Sequence, residues 1–136
     1  DQMKIESKRV EIKASAEKTY GLVSNFNNFG GSLPQEVKNW QSTENNCSFE
    51  ISGMAKINID IVDKKPFRSV TYKATANQPI GMVLVGNIEE CGTSCFATIV
   101  LEADVPMALS MMIKKPLEKF VDVLVNKVKE VAEREV

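Results

Sequence analysis

The stretch from Cys47 to Val62, CSFEISGMAKINIDIV, alternates with a period of two. Phe49, Ile51, Ala55, Ile57, Ile59 and Ile61 share odd parity, while Ser48, Glu50, Ser52, Lys56, Asn58 and Asp60 share even parity. Successive side chains of a strand point to opposite faces, so the pattern predicts strands with one apolar and one wet face. Gly53 is expected to mark a turn between two of them, and Asp63-Lys64-Lys65-Pro66 to end the second. A sheet with one dry face needs a second layer to cover it. The chain supplies that layer at its end. Between Met107 and Glu135, Leu109, Ile113, Leu117, Phe120, Leu124, Val128 and Val131 recur at steps of three and four, the spacing of one helix face. Val121, Val125 and Ala132 widen this stripe, and Lys115, Glu118, Asp122, Lys129 and Glu133 lie opposite. Pro116 falls inside the pattern and predicts a kink or a fresh start of the helix.

Working outward, Met3 to Ala14 reads as a strand. Ile5 differs in parity from Val10 and Ile12, which predicts a bulge or bend near Lys8-Arg9. Ser15 is placed to cap a helix of about ten residues, with Glu17 in its first turn and Tyr20, Leu22, Val23 and Phe26 as apolar anchors. Asn27-Asn28 breaks it. Phe29 and Leu33 then anchor a second short helical turn or loop, loosened by Gly30-Gly31 and ended by Pro34. Ser69 to Ala76 is a strand with Val70, Tyr72 and Ala74 inward, followed by a loop at Asn77-Gln78-Pro79. Ile80 to Glu90 and Ser94 to Ala103 form a hairpin, with Met82, Leu84 and Ile88 inward from one arm and Ala97, Ile99, Leu101 and Ala103 from the other. The expected fold is α+β: a curved antiparallel sheet of about seven strands wrapped around a long C-terminal helix, with two short helices after the first strand. With 136 residues, a single domain spans 1–136.

Composition narrows the function classes. Seventeen Lys and Arg against eighteen Asp and Glu leave a net charge of −1, which argues against a nucleic-acid partner. No apolar run reaches the roughly 20 residues of a membrane span, and charges near the N-terminus interrupt any signal-like segment. Three cysteines, Cys47, Cys91 and Cys95, fit a reduced, cytoplasmic setting, although Cys91 and Cys95 flank a turn and a bridge between them is conceivable. Histidine is absent, which disfavours both a zinc site and the commonest acid–base catalyst. No metal or other cofactor is expected. No Gly-rich phosphate loop is present either, since Gly30-Gly31 lacks the following Lys.

The order of elements is that of the helix-grip fold, and three stretches of wording resemble START-like proteins, the superfamily of polyketide cyclases and the birch pollen allergen. They are Ala14-Ser15-Ala16-Glu17-Lys18-Thr19-Tyr20, then Ser24-Asn25-Phe26-Asn27-Asn28-Phe29 with Leu33-Pro34, and Met111-Met112-Ile113-Lys114-Lys115-Pro116-Leu117. The last is similar to the start of the closing helix in small bacterial members of unassigned activity. The resemblance implies a cavity between sheet and helix for lipids, polyketides or other apolar molecules. It does not imply one activity.

On this reading a small hydrophobic ligand would touch Phe49, Ile51, Ile57, Tyr72, Met82, Leu84 and Ile99 from the sheet. Met112, Ile113, Leu117 and Phe120 would meet it from the helix, and Phe29, Leu33 and Trp40 from the mouth. The competing reading is a filled core that leaves no room. Val83, Val85, Phe96 and Val100 fall on the outward parity of two adjoining strands and predict an interface, with a homodimer as its simplest form. An enzyme of cyclase or hydratase type would have to use Tyr72, because no activating base accompanies Cys47. Met107, Met111 and Lys114-Lys115 suggest membrane contact, which the near-zero net charge disfavours.

Overall fold

The computed structural model describes residues 2–30, 33, 35, 37–51, 55–76 and 81–134. The chain enters as two strands, β1 (Gln2–Glu6) and β2 (Val10–Ile12), that pair in succession with one long partner. The expected single strand is therefore split, which raises the strand number to eight. Ser7 bridges the break. Its N–H donates to the Ile99 carbonyl and its hydroxyl accepts from the Ile99 N–H, both at 2.8 Å, so both backbone groups of Ile99 stay paired across the break.

Helix α1 (Ala16–Val23) starts at Ser15, whose hydroxyl accepts from the Lys18 N–H at 3.0 Å. It spans eight residues rather than ten. The short second helix is a 3-10 turn at Phe26–Asn28, earlier than Phe29 and Leu33 suggest, because Asn25 caps it by accepting from the Asn27 N–H. Six strands follow: β3 (Val37–Ser42), β4 (Asn46–Ile51), β5 (Ala55–Lys65), β6 (Ser69–Thr75), β7 (Gly81–Cys91) and β8 (Ser94–Asp104). All pair antiparallel in the order β1-β8-β7-β6-β5-β4-β3, with β2 also on β8. Helix α2 (Met107–Arg134) closes the chain and runs through Pro116 as one helix.

The strand β5 continues through Lys65, so Asp63-Lys64-Lys65 is not a turn. The register shifts between Ile61 and Asp63, and the turn comes at residues 66–68, where Phe67 adopts φ 66°. The β7–β8 loop is the tight Gly92-Thr93 pair, with Gly92 at φ 64°, a conformation that glycine adopts freely. Cys91 and Cys95 lie on opposite faces near this hairpin end, Cys91 exposed and Cys95 buried, which rules out the bridge between them; all three thiols are free. The Gly53 turn, the Asn77-Gln78-Pro79 loop, Ile80, Gly31, Pro34 and the helix end at Glu135 lie outside the described residues. So do the side chains of Ile51 and Ala55.

The core sits between α2, α1 and one half of the sheet. Ile5, Ile12, Leu101, Val105, Val121 and Val125 are fully buried there. Burying a valine or leucine side chain stabilises by about 1.5–3 kcal/mol. α2 contributes Val121, Val125, Val128, Val131 and Ala132, all from its second half. That half is also fastened by hydrogen bonds. Asp122 accepts from the Lys8 N–H at 2.8 Å, Glu133 accepts from the Lys13 N–H at 2.8 Å, and Lys129 donates to the Glu11 carbonyl at 2.6 Å. Nothing in the first half, residues 107–120, is buried.

Candidate apolar cleft between the sheet and the front of the last helix

Register defines the inner face. Leu101, Leu84, Tyr72 and Ile61 lie on successive strands at one level, and Ala103, Met82, Ala74, Ile59 and Cys47 at the next. Phe49 and Ile57 pair at the level beyond. At these levels the face is apolar, as the parity reading expects, while Lys64, Ser42 and Glu90 share it toward its margins.

Its burial is graded. Leu101, Leu84, Ala97 and Ile99, on β7 and β8, are buried. Phe49, Ile57, Ile59, Ile61, Tyr72 and Met82 are half-buried, with Cys47, Val70 and Ala74 buried among them. α2 packs on β8, β1, β2 and α1. Leu109, Ile113 and Leu117, in its front half, are likewise half-buried and pack against the core. These half-buried groups are the candidate walls of an apolar cleft. At its end Trp40 stacks on Phe49, ring centroids 5.8 Å apart, and Gly30 sits against the indole nitrogen. Asn39, at φ 55°, breaks the β3 register just before Trp40.

Among the described residues one buried side-chain polar atom has no hydrogen-bond partner, Trp40 Nε1. A buried donor left unpaired costs about 1–3 kcal/mol. The remaining polar groups of the cleft are satisfied or silent. The Tyr72 hydroxyl donates to the Val23 carbonyl, one of the free acceptors at the end of α1. Burial first, then Cys47 and Tyr20, pushes its pKa up. Burial, with Asp60 adding to it, pushes the Cys47 thiol up to about 12. Both groups are neutral at physiological pH, so neither offers an anion for attack or proton abstraction. Among the described residues no three His, Cys, Asp or Glu side chains gather as metal ligands.

The expected ligand-contacting residues fall in three groups. Phe29, Leu33, Trp40, Phe49, Ile57, Tyr72, Met82, Ile113 and Leu117 are half-buried. Leu84 and Ile99 are buried and belong to the core beneath. Met112 is a correction: it is 75% exposed, because it lies one residue, about 100° of helix turn, from Ile113 and points off the cleft. Phe120 keeps the phase of the stripe but is 48% exposed, at the rim. The outer-face patch is also smaller than parity implies. Val100 is 8% exposed, and the Arg9 guanidinium lies 3.8 Å from the Phe96 ring centre while pairing with Glu89 at 2.9 Å. Val83 and Val85 remain half-buried. Two open cavities elsewhere have mixed polar and apolar linings. One, about 210 Å³, lies by Arg9, Arg68 and Glu89, and the other, about 580 Å³, by Glu11, Lys13, Lys18 and Thr93.

An eight-stranded antiparallel sheet gripping a C-terminal helix, with short helical elements after the first strands, is the START-like helix-grip fold. Solved structures agree. A START superfamily protein from Mycobacterium smegmatis superposes with a TM-score of 0.76 at 16% identity, covering 99% of each chain. Norcoclaurine synthase from Thalictrum flavum, in complex with dopamine and hydroxybenzaldehyde, gives 0.77 at 10% identity, covering 100% of this chain and 89% of that one. The protein XoxI from Bacillus cereus gives 0.63 at 15% identity, covering 98% and 94%. No protein-family model matches the chain, and no curated protein sequence does. At these identities the likeness is one of fold.

Proposed function

We propose that the protein binds a small hydrophobic molecule, such as a lipid or polyketide, non-covalently in this cleft. One observation carries the reading: around the buried Cys47, Val70 and Ala74, the apolar inner-face side chains Phe49, Ile57, Ile59, Ile61, Tyr72 and Met82 are incompletely covered. Covering it would stabilise by about 25 cal/mol per Å² of apolar area removed from water. The unpaired Trp40 Nε1 fits a guest that brings one acceptor oxygen to that end. A neighbour of the same fold is in complex with two small aromatic molecules, which supports binding without naming this guest. Carriage of the molecule between sites follows as the simplest use of reversible binding. A reducing, cytoplasmic setting suits the three free thiols. Self-association through Val83 and Val85 has weaker support, because Arg9 already covers Phe96.

Trp40 is the chain's single tryptophan, so its fluorescence reports on the cleft directly. Purified protein is examined by native mass spectrometry and then titrated with fatty acids and aromatic polyketides. A co-purifying apolar mass, or a saturable change in Trp40 emission lost in Ile57→Asp, is the expected result. A ligand-free protein whose emission no apolar compound alters refutes the reading.

A further inference from the structure

We infer that the front half of α2 is a docking surface for anionic lipid bilayers. Ala108, Met111, Met112, Lys115 and Lys119 are spaced 0, 3, 4, 7 and 11 residues along the helix and so share one face. All five are exposed, Met111 at 77%, and Met107 beside them is 63% exposed. This face is opposite to the one that Ile113 and Leu117 turn toward the sheet. Most outward helix faces are polar. This one interleaves unbranched thioethers with lysines, the composition of a helix that lies in a headgroup layer with its cations at the phosphates.

Charge selects the partner. In the rear half of α2 each cation has an acid: Lys127 with Glu130 at 3.5 Å, Lys129 with Glu133 at 2.7 Å, and Arg134 with Glu130 at 2.6 Å. In the front half Lys114, Lys115 and Lys119 form no ion pair among the described residues. Glu118 is the one acid between Met107 and Val121. A local positive excess on a chain of net charge −1 repels a second copy of itself at this face and attracts a surface of phosphates. The inference is independent of what the cleft holds.

The full chain, without added ligand, is floated with vesicles of phosphatidylcholine plus phosphatidylglycerol and with vesicles of phosphatidylcholine alone. The wild type is expected to co-float with the anionic vesicles only, and raised salt to weaken it. Lys115→Glu with Lys119→Glu, and separately Met111→Ser with Met112→Ser, are each expected to lower partitioning by more than about tenfold. Their urea midpoints should stay near that of the wild type, because these side chains are exposed. No flotation with anionic vesicles, equal flotation with both, or binding retained by the lysine variant overturns the inference. So does a concentration-dependent dimer that the methionine variant abolishes in the absence of vesicle binding.

Discussion

Val125→Ala and Ile113→Ala delete aliphatic carbons from the same helix, and the structure predicts unequal costs. Val125 is fully buried in the fastened half. Removing two methyl groups loses about 1.6 kcal/mol of transfer free energy at ~0.8 kcal/mol per carbon. The cavity left in a packed core adds about 1 kcal/mol, and the better helix propensity of Ala returns about 0.5 kcal/mol. The expected cost is about 2 kcal/mol. Ile113 loses three carbons but stands half-buried at the cleft wall. The lost transfer term there is about half its full value of ~2.4 kcal/mol. No closed void forms, because solvent enters, and the propensity gain is similar. The expected cost is about 0.7 kcal/mol. Urea unfolding, followed by circular dichroism so that Trp40 is not the reporter, measures both. The m-values should match, with the Val125 variant shifted to a clearly lower midpoint. Equal shifts would mean that the front half of α2 is ordinary core. The cleft would then be closed and the argument for a guest refuted.

Other expectations follow from particular contacts. Tyr72→Phe removes the donor to the Val23 carbonyl and should cost about 1–2 kcal/mol by urea unfolding, since the partner is left unsatisfied; a neutral variant would show that water replaces the hydroxyl. In the native protein Cys91 should react with a disulfide reagent at neutral pH, while Cys47 and Cys95 react only after unfolding, being buried and held as thiols. Rapid release of more than one equivalent would contradict this. The Glu133 carboxyl is held below the ordinary glutamate value, first by the Lys129 ammonium and then by the Lys13 N–H. Its contribution is therefore present above the ordinary value and lost as pH falls through the lower folded one. Glu133→Gln should flatten the acid limb of stability against pH, and an unaltered limb would show that the carboxylate does not link α2 to β2.

Much of the scaffold was legible because one face of the sheet is wet. Alternation from Phe49 to Ile61 identifies the inner face without any knowledge of strand neighbours, and the β6, β7 and β8 residues follow the same rule. Parity fails where the chain breaks register. The shift after Ile61 carries β5 on through residues that read as a turn, and Ser7 repairs a gap that a single-strand reading must bend through. The α2 stripe shows which residues share a side but not how far along the rod that side is covered. Leu117 and Val121 are equivalent by spacing, yet one is half-buried and the other fully so. Trp40 carries no periodic signal. Its place beside Phe49 follows from a left-handed backbone at Asn39, which a sequence without glycine at that position does not announce.

Pro116 gives this half-anchored rod a mechanical meaning. Proline lacks an N–H, so the Met112 carbonyl, four residues back, has no rung from it. The missing rung falls between Val105, buried just before the helix, and Val121, the first buried side chain within it. On the proposed reading the weakest section of the helix lies in the span that would line the guest's space, so that space depends on this joint as well as on eight strands.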